Sequence, residues 1–218
     1  MAQGYVHTSD LPQVIPLFPL DGALLLPRGQ LPLNVFEPRY LNMLDDVMAG
    51  DRIIGVIQTV GGSRARPLLA PVGCAGRVTA YAETSDGRYL ITLTGVCRFN
   101  TGDELPSQLP YRQVRADYAP WAHDLAPPDE AELFDREPLL DALRAYLNRR
   151  SLDVDWETAR DAPREALVNS LSMALPFEDA AKQALLEAHD LARRCEALTA
   201  LLAIGAAEDD DEEPPAVQ

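Results

Sequence analysis

Lysine is nearly absent from this 218-residue chain: it occurs once, at Lys182, while the other basic residues are arginines. A phosphate-binding loop needs glycines for close backbone approach and a lysine for the phosphates. Lys182 follows Ala180 and Ala181 with no glycine near it, which excludes a P-loop nucleotide site. As the sole lysine it is also the only candidate base for a serine-lysine dyad, which requires a desolvated ammonium. Leu186 and Glu187 place it on an ordinary helix margin, where a solvated or ion-paired lysine is expected.

Other chemistry is missing as well. Cysteine occurs only at 74, 97 and 195, without CxxC spacing, so neither a disulfide framework nor a zinc ribbon is indicated. Cys74 and Cys97 lie in apolar strand contexts and read as small core residues, with a redox pair as the alternative if their strands are neighbours. His7, His123 and His189 read as surface residues; there is no GxSxG elbow, no HExxH and no EF-hand loop. No catalytic, metal-binding or cofactor-binding residues are therefore assigned, and no cofactor is expected. No run approaches the roughly 20 apolar residues of a spanning helix, and MAQGYVHTSD lacks the features of a signal peptide. With the free cysteines, this points to a cytoplasmic protein.

Positive charge is in deficit. The formal net charge is -15, with six negatives in Glu208, Asp209, Asp210, Asp211, Glu212 and Glu213; the remaining residues still carry -9. Such a chain repels phosphate backbones and anionic membranes, so neither nucleic acid nor a membrane is an expected partner unless arginines such as Arg64 and Arg66 gather on one face. Arginine-for-lysine usage and abundant alanine read as a bacterial coding bias.

What is present is organised in two styles. From Val14 to about Tyr118 short apolar runs (VIPLF, ALLLP, LPLNVF, IIGVIQ, VTAYAE, YLITLTG, CRFN) alternate with turn residues, as in a barrel or curled sheets. Ser85-Asp86-Gly87 marks a hairpin, because Asp-Gly accommodates positive φ. A crossover helix opens at Pro38, buries Tyr40, Met43, Leu44 and Val47, and ends at Gly50. The glycine-containing loop over 60–73 is expected to form a mobile hairpin tip. Past the Pro-rich WAHDLAPPDE, apolar residues recur at helical period. Leu133, Leu140, Leu143 and Leu147 form one stripe, and Leu167, Leu171 and Ala174 another, behind Pro163 with Asp161 as N-cap. One long helix is expected from about Glu178 to Ile204. The domain reading is a flexible 1–13, a β-barrel subdomain over 14–120, a helical subdomain over 129–205 and a disordered acidic tail over 206–218.

The stretch IPLFPLDGALLLPRGQLPLNVFEPRY (15–40), then IIGVIQ, Gly73-Cys74-Ala75-Gly76-Arg77-Val78, Asp86-Gly87-Arg88 and Gly95-Val96-Cys97-Arg98-Phe99, resembles the N-terminal substrate-binding domain of Lon protease, most closely its stand-alone bacterial form. KQALLE (182–187) continues the resemblance to about Gly205. The resemblance implies an α+β fold: a PUA-like pseudobarrel of mostly antiparallel strands with a crossover helix, followed by a C-terminal α-helical bundle. It also implies recognition of unfolded polypeptides, in service of a protease or chaperone system, without the ATPase and protease domains of complete Lon enzymes. The leading functional expectation is thus a non-catalytic polypeptide-binding module with an apolar groove between barrel and helices. The alternatives are a small-molecule sensor on the same fold and an enzyme of unrecognised chemistry. Within FEPRY, Phe36, Glu37, Arg39 and Tyr40 read as a corner clasp with Arg98 as partner for Glu37; direct ligand contact is the alternative.

Overall fold

The computed structural model describes residues 4–63, 66–126, 135–152 and 154–207. The acidic run 208–218, Arg64 and Leu133 lie outside the described residues. The chain divides into two compact units, one of Met1–Pro127 with Met173–Leu186, the other of Pro128–Ser172 with Glu187–Gln218.

The first unit holds the strands β1 (Val14–Pro19), β2 (Gln30–Val35), β3 (Ile53–Ile57), β4 (Thr59–Ser63), β5 (Arg66–Leu69), β6 (Val72–Glu83), β7 (Tyr89–Glu104) and β8 (Gln113–Asp117), with helix α1 (Pro38–Ala49) between β2 and β3. The main sheet runs β2-β7-β6-β3-β1-β8, and a further pairing of β7 with β8 closes five strands into a ring, leaving β2 alongside β7. Only β1 and β3 are parallel, as a crossover through α1 requires; the other pairs are antiparallel. The sequence runs YLITLTG and CRFN are one strand of 16 residues, β7, long enough to pair with β6 from Tyr89 to Asn100, with β2 near its start and with β8 near its end.

The helix α1 buries Tyr40, Met43, Leu44 and Val47, the face its periodicity indicates. The β6–β7 hairpin turns at Gly87, with φ of 79° and Thr84 N–H donating to the Arg88 carbonyl. ALLLP, expected as a strand, is not one. Leu24, Leu25 and Leu26 are buried, but the chain turns at once: Gly29 N–H bonds the Leu26 carbonyl, and Arg28 takes a positive φ. A Cβ at Gly95 would stand 2.0 Å from the Leu26 oxygen, so this apolar run is wedged against β7 rather than laddered to it. β8 (QVRAD) carries no apolar run and was not expected. Residues 1–13, read as flexible, include a 3-10 turn at Thr8–Asp10, a buried Leu11 and a Pro12 carbonyl bonded by Tyr118. β4 and β5 form a separate two-stranded ribbon where the 60–73 loop was placed.

The helical segment begins with α2 (Glu137–Arg149), α3 (Trp156–Asp161) and α4 (Arg164–Ala174). The expected long helix is two, α5 (Asp179–Glu187) and α6 (Leu191–Ala207). Asp190 divides them: its carboxylate accepts the Arg193 N–H at 2.8 Å, capping α6. Asp161 closes α3 instead of capping α4, and the α3 cap is Asp155, which accepts from Glu157 and Thr158. In the second unit α2 packs along α6, burying Leu140, Leu143 and Leu147 on one helix and Leu198 and Leu202 on the other. Gly205 gives room for the Tyr146 ring.

Candidate functional site

Arg98 lies mid-strand in β7 and is 1% exposed, a position at which an unpaired charge is untenable. Its partner is Asp124, not Glu37. The Arg98 backbone N–H and Nε both donate to Asp124 Oδ2 at 2.9 Å, and Nη2 donates to Oδ1 at 2.8 Å. Nη1 donates to the Leu186 carbonyl at 3.0 Å, Nη2 meets His123 Nε2 at 3.1 Å, and the guanidinium lies 4.0 Å over the Trp121 ring. Arg28 Nη1 bonds the Asp124 carbonyl, and Trp121 Nε1 bonds Asn100. This network joins β7 to the 3-10 segment Ala119–Leu125 and the end of α5, and it is a fastening for the fold.

Glu37 instead pairs with Arg39 two residues on, Nη2 to Oε2 at 2.8 Å, with both side chains about half exposed (46% and 53%). The expected Glu37–Arg98 pair is therefore corrected: Arg98 is sunk in the core, while the first turn of α1 holds Glu37 at the surface. Tyr40 is buried against Phe18 with ring centroids 4.4 Å apart and the Arg39 guanidinium 4.5 Å over its ring. Phe36 is 62% exposed, with Arg88 5.7 Å over its ring.

Phe36 ends a surface strip. Asn34, Leu90 and Ala82 lie opposite one another across β2, β7 and β6, as do Pro32, Thr92 and Ala80. Pro32 and Asn34 are exposed on β2 while Val35 is buried, and Phe36, the first residue past the strand, is exposed again. The two rows border an open hollow of about 500 Å³, whose lining includes Tyr81 and, among the described residues, no charged side chain. Leu90 is 46% exposed. Beside it Ala80 and Ala82 are small and leave the hollow open. The signal in the sequence is Leu90 itself: in YLITLT the polar face is threonine at 92 and 94, and leucine breaks that series at 90.

Lys182 is 7% exposed and its ammonium donates to the Gly22 carbonyl, so the expected solvated or ion-paired lysine is corrected to a buried, backbone-bonded one. Cys74 and Cys97 lie on adjacent strands one step out of register: Cys74 faces Arg98 and Cys97 faces Ala75. Both thiols are free. Burial pushes Cys74 well up and Cys97 up to about 12, and the Asp124 carboxylate adds to both. Thiols held protonated are poor nucleophiles, which favours the core-packing reading. Among the described residues no group of three or more His, Cys, Asp or Glu side chains is placed to hold a metal ion, and no helix is long and apolar enough to cross a membrane.

Residues 14–203 match the family described as the ATP-dependent protease La (LON) substrate-binding domain. "Lon protease 2" of Sorangium cellulosum is 26% identical over 206 residues, which cover 86% of this chain and 24% of that protein. "Lon protease 2" of Myxococcus xanthus is 28% identical over 117 residues, 52% of this chain and 14% of that protein. The chain thus spans a quarter or less of the length of these curated relatives. Among solved structures, a Lon N-terminal domain protein from Xanthomonas campestris superposes with a TM-score of 0.61 at 24% identity, covering 86% of this chain and 97% of that one. The N-terminal domain of the Mycobacterium avium complex Lon protease gives 0.60 at 16% identity, covering 90% and 99%. These likenesses show an α+β fold of the Lon N-terminal kind, a mixed sheet with helices.

Proposed function

Because this chain belongs to the Lon substrate-binding domain family, we propose that it is a non-catalytic polypeptide-binding module that recognises exposed apolar segments of unfolded chains. The finer architecture we infer is a PUA-like pseudobarrel followed by a helical bundle. The observation that carries the functional reading is the open, largely apolar hollow beside the exposed Leu90, with the exposed Phe36 just beyond the end of β2. Unfolded segments expose the hydrophobic side chains that such a surface can cover. We place the contact on this sheet face in preference to a groove between barrel and helices.

Within the proposal the chain is not an enzyme, works in the cytoplasm, delivers polypeptides to a protease or chaperone system, and engages neither nucleic acid nor membrane. Buried and protonated thiols and a backbone-bonded Lys182 are consistent with a binding role. A small-molecule sensor is less well supported, because a compact ligand calls for an enclosed pocket with a few convergent polar groups, and this hollow is wide open. The test is fluorescence anisotropy of a labelled, permanently unfolded polypeptide titrated with the chain, against a folded protein of similar charge. Saturable binding of the unfolded chain alone is expected; equal binding of both, or of neither, would overturn the proposal.

A further inference from the structure

We propose that the bound polypeptide lies side-on across the outer face of β2, β7 and β6 as an extended, uncharged apolar segment held by Phe36 and Leu90, instead of adding to the free edge of β2 as a further strand. This rests on the polypeptide-binding reading above and specifies its geometry and its substrate class.

The edge is a poor template. β2 has six residues and, among the described residues, pairs only with β7. Strand addition draws its affinity from main-chain hydrogen bonds. Pro32 stands in the middle of β2 and has no N–H to give, a feature by which edge strands avoid pairing with other chains. The face is better made for a guest. Ala80 and Ala82 leave room beside Leu90, and Asn34 and Thr92 offer uncharged polar groups to a guest backbone. Phe36, exposed just past the end of β2, offers a second apolar contact.

Charge then decides which segments fit. Among the described residues no charged side chain lines the hollow, so an ion on the guest would lose water there without gaining a partner. At the Phe36 end Arg88 is bridged to Asp86 at 3.0 Å, so it offers a guest ion no unpaired partner. The complementary occupant is a short apolar run without an ion inside it.

The experiment uses the full chain and three fluorescein-labelled peptides: a Leu-Phe-Val-Leu core in a Ser-Gly frame, the same core with alternate backbone nitrogens methylated, and the same core with a central lysine. We expect the first two to bind alike within about threefold and the lysine peptide at least about tenfold more weakly. Phe36→Ser and Leu90→Ser alter exposed residues and so should retain the parent thermal melt, yet each should weaken binding of the first peptide about tenfold. If methylation costs tenfold while both serine variants bind normally, the segment adds at the edge; the side-on geometry is then wrong and the polypeptide reading stands. Equal binding of the lysine peptide would overturn the charge exclusion alone. Failure of every peptide to bind a chain with a normal melt would refute the polypeptide reading itself.

Discussion

Asp124→Asn should be among the most damaging single substitutions in the chain, because it strands Arg98. The side chains of this pair are 2% and 4% exposed, and three Arg98 donors converge on the one carboxylate. Asparagine keeps the shape and removes the charge, leaving a buried guanidinium without its counter-ion. Breaking one side of such a pair costs about 3–5 kcal/mol. At about 2–4 °C per kcal/mol for a chain of this size, the melting temperature should fall by about 6–20 °C, read by circular dichroism or calorimetry. Glu37→Gln serves as the internal comparison. Its partner Arg39 is half exposed, so solvent screening limits the loss to about 0–1 kcal/mol. Replacing Arg98 with Met and Asp124 with Leu together should recover only part of the stability lost by Asp124→Asn: no charge then remains buried, but the residue-98 N–H loses its acceptor. A fall for Asp124→Asn no larger than that for Glu37→Gln would refute this reading.

Three further outcomes follow from the packing. Lys182→Ala should destabilise by about 1–3 kcal/mol in a denaturant titration, because the Gly22 carbonyl loses its donor; a solvated lysine would cost almost nothing. Gly95→Ala puts a methyl 2.0 Å from the Leu26 oxygen and should cost about 3 kcal/mol or more, or leave the chain insoluble, whereas a parent-like melt would show that the 24–29 segment yields readily. Cys74, Cys97 and Cys195 are all buried with raised thiol pKa, so at pH 8 Ellman's reagent should modify them only as fast as the chain opens; rapid labelling of the native protein would contradict their burial.

Local signals were readable where local physics decides. The helix over 38–49 follows from Pro38 and its four apolar positions, and the β6–β7 turn follows from Asp86-Gly87. Most misreadings came where distant residues decide. Leu24 to Leu26 look like a strand because burial selects the same residues whether the backbone is laddered or wedged, and only the closeness of Gly95 distinguishes the two. The break in the expected long helix hangs on Asp190, whose carboxylate caps the next helix while the apolar period runs on past it. Arg98 required a carboxylate, as its strand context indicated. Choosing Asp124 over Glu37 required knowing that the segment 119–125 folds back on β7, which no short motif encodes. Phe36 was legible as part of a motif but not as its exposed member; that follows from the β2–β7 register, which carries Asn34 opposite Leu90.

The most direct test of the central claim is an amide chemical-shift titration of the isotope-labelled chain with an unlabelled, permanently unfolded polypeptide. The account predicts saturable shifts concentrated at residues 33–36, 80–82 and 88–92, on the outer face of β2, β6 and β7. Saturable binding whose shifts fall elsewhere, leaving Phe36 and Leu90 unmoved, would contradict it.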